Sequence, residues 1–337
     1  MTTLIKTRTF LAIVFIFALA FSLRVVFLPK LALTFGYDQA RDAIVSQEIL
    51  KGDLKIQGPP ASTPGLYHGV FYYYYLAPAY FLGHGSPIFT AYYNSFFNAA
   101  TVFIVFYLAW LFTRRVGSAL LSAFFFAVSF EATQYATWLS NPTIGVWTVP
   151  LIYLGLWAWI NPSASSGQGK KWGPLVCGVG LGLSIQADIF LAYHIPPIIL
   201  WLVIARKKIT KKEVIKFLFV LFLSLSSMVL AQIKFGLTGI NGILSLATAQ
   251  DAIVSGKGFG DFIVLFLNQL GRLFAYSSYP GNIGYGAGFI VLLTILAYLS
   301  WDKKQKISWQ PFLLVWLYSH IMVATVGGTS TPFLNVG

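Results

Sequence analysis

Charge is the scarcest feature of this sequence. Only 10% of its 337 residues are charged, against about 25% in a soluble globular domain. With 57% hydrophobic residues, 17% aromatics and a mean hydropathy of +0.72, such a chain cannot present a solvated surface at this size. Acids are scarcer than bases, 10 Asp and Glu against 23 Lys and Arg. A net charge of +13 would suit nucleic acid if it formed one basic face. Here the bases fall in short clusters between long apolar runs, so a soluble domain, a nucleic-acid-binding domain and a disordered chain are all excluded. Cysteine is almost absent. Cys177 is alone, which rules out an internal disulfide, and no Cys/His spacing suits zinc. Within an apolar stretch it reads as a small core hydrophobe.

The apolar runs predict an all-α polytopic membrane protein. About 20 apolar residues cross ~30 Å of hydrocarbon. Nine spans are expected: 10–27, 87–112, 116–130, 143–160, 173–187, 189–205, 217–233, 284–299 and 309–326. The third and fifth are short enough to be re-entrant or tilted. The first run lacks a small-residue cleavage site, so it reads as an uncleaved span rather than a signal peptide. Its flank, Lys6 and Arg8, is basic. So are the segments holding Arg114, Arg115, Lys170, Lys171, Arg206–Lys216 and Lys303–Lys306. All fall on one side if the N-terminus is cytoplasmic. Most acids fall on the other side, which suggests a functional external face. The chain closes at Pro332–Gly337 without a basic anchor, and the expectation is a fragment lacking further C-terminal spans.

Two external segments interrupt the spans, 29–86 and 235–283. The second contains Asp261–Tyr276, whose Ile263, Phe266, Leu270 and Phe274 recur at helical spacing; it reads as an interfacial helix on the outer surface. Gly178, Gly180 and Gly182 lie within a span with no preceding strand, so they predict close helix packing rather than a dinucleotide loop.

The first external segment carries the chemistry. Gly36-Tyr37-Asp38-Gln39-Ala40-Arg41-Asp42 is followed by Glu48 and Gly52-Asp53. Asp38 and Asp42 are one helical turn apart, with Arg41 adjacent. The plain reading is an amphipathic helix capped by Asp38, with Asp42 a solvated first-turn acid. The functional reading is a carboxylate at the headgroup boundary, where low dielectric tunes its basicity. A Pro/Gly loop through Gln57–Val70 then leads into Phe71-Tyr72-Tyr73-Tyr74-Tyr75. These tyrosines suit either an interfacial belt or a platform for a sugar or polyprenyl chain. His68 is either a loop histidine or a phosphate partner. Glu131 and Asp188, at external span ends, are either turn residues or groups that orient an acceptor or bind a divalent cation.

This order of features resembles the GT-C membrane glycosyltransferases. It is most similar to the dolichyl-phosphate-mannose protein mannosyltransferase family (glycosyltransferase family 39) and its bacterial relatives, including the aminoarabinose lipid A transferases. The resemblance rests on Asp38-Gln39-Ala40-Arg41-Asp42, Gly52-Asp53 and His68-Gly69-Val70-Phe71-Tyr72-Tyr73, and covers about residues 5–160. Gln39 stands where the family has a second acid, and Gly69-Val70 where it has Pro-Pro.

The resemblance implies transfer of a sugar, with inversion, from a polyprenyl-phosphate donor to a hydroxyl on a protein, lipid or glycan. It makes Asp38 the catalytic base. Arg41, Asp42 and Asp188 become acceptor-side or supporting residues. The donor phosphate falls to His68, with Arg272, Lys257 and Lys234 as more distant candidates. Tyr72 and Tyr73 become donor lipid or sugar contacts. It implies no nucleic-acid partner and no organic cofactor, and leaves a divalent cation open. The expected location is a prokaryotic plasma (inner) membrane, since the chain lacks the large soluble insertion of eukaryotic relatives. The rival classes are a secondary transporter, which would place ionisable groups near the bilayer midplane, and a non-catalytic scaffold of the same fold. The sugar and acceptor identities are not encoded in any motif here.

Overall fold

The computed structural model describes residues 2–61, 65–161, 169–239, 241–242, 259–275, 281–305 and 307–326. Among them the chain is helical, with one isolated bridge between Pro60 and Tyr67 and no strand. The α-helices are α1 (Thr2–Val25), α2 (Tyr37–Leu50), α3 (Phe71–Leu82), α4 (Pro87–Thr113), α5 (Val116–Ala127), α6 (Phe130–Thr137), α7 (Gly145–Ile160), α8 (Gly169–Ala187), α9 (Ile195–Ile204), α10 (Lys211–Lys234), α11 (Phe259–Ala275), α12 (Ile283–Ser300) and α13 (Trp309–Val326). Five segments are long and apolar enough to cross a membrane: Thr7–Lys30, Pro87–Thr113, Asn141–Ile160, Lys211–Lys234 and Ile283–Ser300. Counting α5 with α6, bent by 53° at their junction, as one broken span makes six.

The helices group into two compact units, Met1–Leu191 with Lys211–Ile243, and Ala192–Thr210 with Leu244–Gly337. In the first unit, Ile13, Ile16 and Ala20 of α1 pack against Ala99 and Val102 of α4 and Ala123 and Ala127 of α5. α8 packs on two neighbours through glycine, as its sequence pattern predicts. A Cβ at Gly180 would lie 2.7 Å from the Ile152 nitrogen of α7, and one at Gly182 2.3 Å from the Ser224 Cβ of α10. Cys177, on the same helix, is fully buried.

Arg24 is the exceptional residue of this core. It is 2% exposed, and no carboxylate pairs with it among the described residues. Its Nε donates to Asn98 Oδ1 (2.7 Å), its Nη1 to the Ala20 and Ala127 carbonyls (both 2.9 Å) and its Nη2 to the Phe126 carbonyl (3.3 Å). The last two carbonyls end α5, where a helix leaves its acceptors unsatisfied and its dipole negative. Arg24 therefore pins the break between α5 and α6. Arg24→Leu is expected to lower thermal stability in detergent, at about 1–3 kcal/mol for each buried group left without a partner. An unchanged melting temperature would contradict this role.

In the second unit, Leu270 of α11, Ile290 of α12 and Ile321 of α13 form the core, and the Phe266 and Tyr318 rings stack 6.3 Å apart. A Cβ at Gly271 would lie 2.2 Å from the Ile283 carbonyl oxygen. One side of α11 is packed into a helical core, while Phe259, Val264 and Leu267 remain exposed.

Candidate functional site

α2 starts at Gly36 rather than at Asp38. The Gly36 N–H donates to Gln39 Oε1 at 2.9 Å, the backward half of a capping box. Gln39 therefore serves the helix end, and Asp38 is a first-turn residue and not the cap. The buried face of α2 runs Gln39, Asp42, Ala43, Ser46, Ile49, a helical stripe. It packs on α3, where Ala43 meets Tyr72, Tyr75, Leu76 and Tyr80.

That stripe buries an acid. Asp42 is 1% exposed, so its reading as a solvated first-turn acid is wrong: it sits on the packed side of α2. Asp38, one turn earlier, keeps 65% of its side chain exposed. Arg41 joins the two. Its Nη1 donates to Asp38 Oδ1 (2.7 Å), while its Nε and Nη2 donate to Asp42 Oδ1 (2.9 and 2.7 Å). Burial pushes the Asp42 carboxyl up to about 6, against the pull of Arg41. Burial also opposes the Arg41 charge, but its contacts with Asp42, Tyr73 and Asp38 outweigh that and raise its pKa.

The tyrosines are not an exposed platform. Tyr72 is fully buried and Tyr73 nearly so, because the α2–α3 interface covers them. Burial raises the pKa of both, Tyr73 up to about 12, and the neighbouring Asp42 adds to the effect. The Arg41 charge pulls the Tyr73 phenol the other way. The Tyr72 hydroxyl has no hydrogen-bond partner among the described residues. Both phenols thus wall the acids from behind.

The Pro/Gly loop brings His68 to the same unit. The His68 N–H donates to the Pro59 carbonyl (2.9 Å) and the Gly69 N–H to the Gln186 carbonyl (2.8 Å). Gln186 is the clamp. Its Oε1 accepts from the Phe71 N–H (3.3 Å), and its Nε2 donates to the Ser224 carbonyl and Ser227 Oγ of α10 (both 2.7 Å). Two glycines make this approach possible. A Cβ at position 58 would lie 2.1 Å from the Gly69 carbonyl oxygen, and one at position 69 would lie 1.8 Å from Gln186 Oε1. Gly69→Ala is expected to destabilise the protein by about 1–3 kcal/mol, the usual cost of overpacking. Gly117→Ala, where a Cβ meets nothing within 4 Å, should leave the melting temperature unchanged. Equal melting temperatures for the two variants would refute the clamp.

Asp188 follows Gln186 at the end of α8. Its Oδ1 accepts from the Phe190 N–H (3.0 Å) and lies 3.5 Å from His68 Nδ1. The same Nδ1 accepts from the Ile189 N–H at 3.1 Å. A nitrogen that accepts there carries no proton, so His68 is neutral and the pair is not an ion pair at rest. Burial lowers the His68 pKa and Arg41 adds to that; burial raises that of Asp188.

The sequence candidates Asp38, Arg41, Asp42, Tyr72, Tyr73, His68 and Asp188 therefore share the first unit. Arg272 belongs to α11 of the second unit. Lys234 ends α10 with its ammonium 5.4 Å from the Phe235 ring centroid, and Lys257 lies outside the described residues. Glu131 opens α6 behind its Ser129 cap. Among the described residues no group of three or more His, Cys, Asp and Glu could hold a metal ion. A cavity of about 410 Å³ lies at the opposite end of α2, lined by Gln47, Lys51, Tyr80 and His84 among others, one helix length from Asp38. The sequence gives no role to Gln186, Gly58 or Asn141, although Asn141 Nδ2 donates to the Ala187 carbonyl (2.6 Å). The paired glycines of the Pro-rich loop were the available signal. No protein-family model matches the chain, and no curated protein matches it in sequence.

Proposed function

We propose that this chain is an inverting membrane glycosyltransferase of the GT-C type. It moves a sugar from a polyprenyl-phosphate donor to a hydroxyl acceptor on the outer face of a plasma membrane. The observation that carries this reading is the α2 arrangement: one exposed carboxylate, Asp38, held by an arginine that is itself anchored on a buried carboxylate, Asp42. It follows directly on the first membrane-length helix, where a lipid-tailed donor would present its phosphate. The proposal places the N-terminus in the cytoplasm and keeps nine spans, the shorter helices included.

The roles follow from the chemistry. The acceptor oxygen attacks the anomeric carbon from the face opposite the phosphate, and Asp38 takes its proton. The bond from carbon to phosphate oxygen breaks, and the electron pair leaves with the phosphate. Such a base contributes about 10²–10⁴-fold, and positioning contributes further. His68, through its Nε2–H, stabilises the charge growing on the phosphate. Asp42 fixes Arg41, and Arg41 fixes Asp38.

The test is transfer of radiolabelled sugar by the purified full chain from a panel of polyprenyl-phosphate sugars to hydroxyl acceptors. Transfer from one donor supports the reading. Absence of transfer across the panel, with uptake of solutes by proteoliposomes, would replace it with the transporter class.

A further inference from the structure

His68 and Asp188 face each other across a contact that one proton would convert into a hydrogen bond. At 3.5 Å, the lone pair of Nδ1 and the Asp188 oxygen are two acceptors side by side, and the only N–H shown reaching Nδ1 comes from Ile189. A proton on Nδ1 would displace the Ile189 N–H from that nitrogen's single lone pair and turn the Asp188 contact into a charge-assisted hydrogen bond. Asp188 is already set for it, because the Phe190 N–H fixes its Oδ1 and the Asp188 N–H is held by the Ser184 carbonyl at 2.8 Å. The Gln186 clamp, two residues earlier, holds the His68 loop.

The charges around the ring explain why the proton is absent at rest. Arg41 of α2 disfavours a second cation, and burial opposes a charged imidazole; only Asp188 favours one. Asp38 and Asp42 are engaged by Arg41, and the Phe190 ring packs edge-on to His68, with centroids 6.5 Å apart. An anion brought to this ring would reverse the balance by offsetting Arg41 and adding a second acceptor.

Resting on the transferase reading, we infer that Asp188 is a positioning residue that makes His68 take up one proton when a lipid phosphate binds. The imidazolium then donates from Nε2 to the phosphate and from Nδ1 to Asp188. Donor capture and protonation are one event, and the phosphate departs from a cation and not from a neutral ring. The proton comes from solvent, no covalent bond other than N–H is made, and it returns to solvent when the phosphate leaves. The ligand class is a phosphate ester on an apolar chain.

The experiment counts protons. Full-length protein in detergent is titrated calorimetrically with polyprenyl methyl phosphate, a diester that has no proton of its own to gain near neutral pH. Buffers of different ionisation enthalpy report the proton uptake. Wild type is expected to take up close to one proton at pH 7.5, and its affinity should fall about tenfold per pH unit between the pKa of the free ring and the pKa reached in the complex. His68→Gln keeps a polar side chain but cannot charge; it should bind with no proton uptake and a flat pH profile. Asp188→Asn should bind with reduced uptake and have its pH dependence moved to lower pH, a change that a purely structural role would not produce. Binding by wild type without proton uptake overturns the inference and leaves the transferase reading intact, and this needs no variant. Uptake that survives in His68→Gln also overturns it. Failure of wild type to bind the phosphodiester, while an equal concentration of polyprenol binds, overturns both.

Discussion

Asp38→Asn is expected to lower sugar transfer by about 10²–10⁴-fold, the usual contribution of a positioned general base, with the donor KM nearly unchanged. The amide oxygen can still accept from Arg41 Nη1, so the geometry of the α2 start is kept. The amide cannot take the acceptor's proton. The split is the informative part, because Asp38 lies on the exposed side of α2 and contributes little to packing. A loss confined to KM would make Asp38 a binding residue. Unchanged transfer would move the base elsewhere, with Asp42 the nearest carboxylate that Arg41 also holds.

Arg41→Met is expected to be the most destabilising change at the site. It removes the cation from the buried Asp42, and breaking a buried ion pair costs about 3–5 kcal/mol when the remaining charge stays buried. Asp42 can escape part of that cost by protonation. Its pKa is already raised to about 6 by burial, above the ordinary aspartate value, so the folded protein holds this proton more firmly than the unfolded chain. Stability from that group is therefore present at low pH and lost as pH rises through about 4 to 6. Without Arg41 the carboxyl rises further and the loss extends to higher pH. The melting-temperature deficit of Arg41→Met should accordingly be larger at pH 8 than at pH 5. Adding Asp42→Asn should recover most of it at pH 8. A deficit independent of pH, or no recovery in the double variant, would mean that Arg41 stabilises through packing of its stem.

Much of the helical architecture could be read from the sequence, because long apolar runs and basic clusters are one-dimensional signals. So could the α8 packing, since glycines at 178, 180 and 182 put bare backbone on two sides of a helix, and α7 and α10 use both. α2 is capped at Gly36, two residues before the Asp38 cap that the sequence suggests. Asp38 is a good capping residue, but Gln39 reaches back to Gly36 and fixes the start earlier. Asp38 and Asp42 look alike in the sequence. Only the packing of α3 decides which is buried, and that depends on tyrosines some thirty residues away. The same contact reverses the meaning of Tyr72 and Tyr73, whose aromatic run resembles an interfacial belt. His68 and Asp188 were separately visible as candidates, yet nothing local joins them. Their contact depends on Gln186, a polar residue at a span end that has no recognisable signature until its hydrogen bonds are traced.

The most direct test of the account is the anomeric configuration of the transferred sugar. A donor of known configuration is supplied to full-length protein with a hydroxyl acceptor, and the product is read by the anomeric proton coupling in NMR. One base, Asp38, and one displacement predict a product of opposite configuration to the donor, formed by wild type and lost in Asp38→Asn. A product that retains the donor's configuration would require two displacements through a covalent intermediate, and would contradict the assignment of Asp38 as the base in a single step.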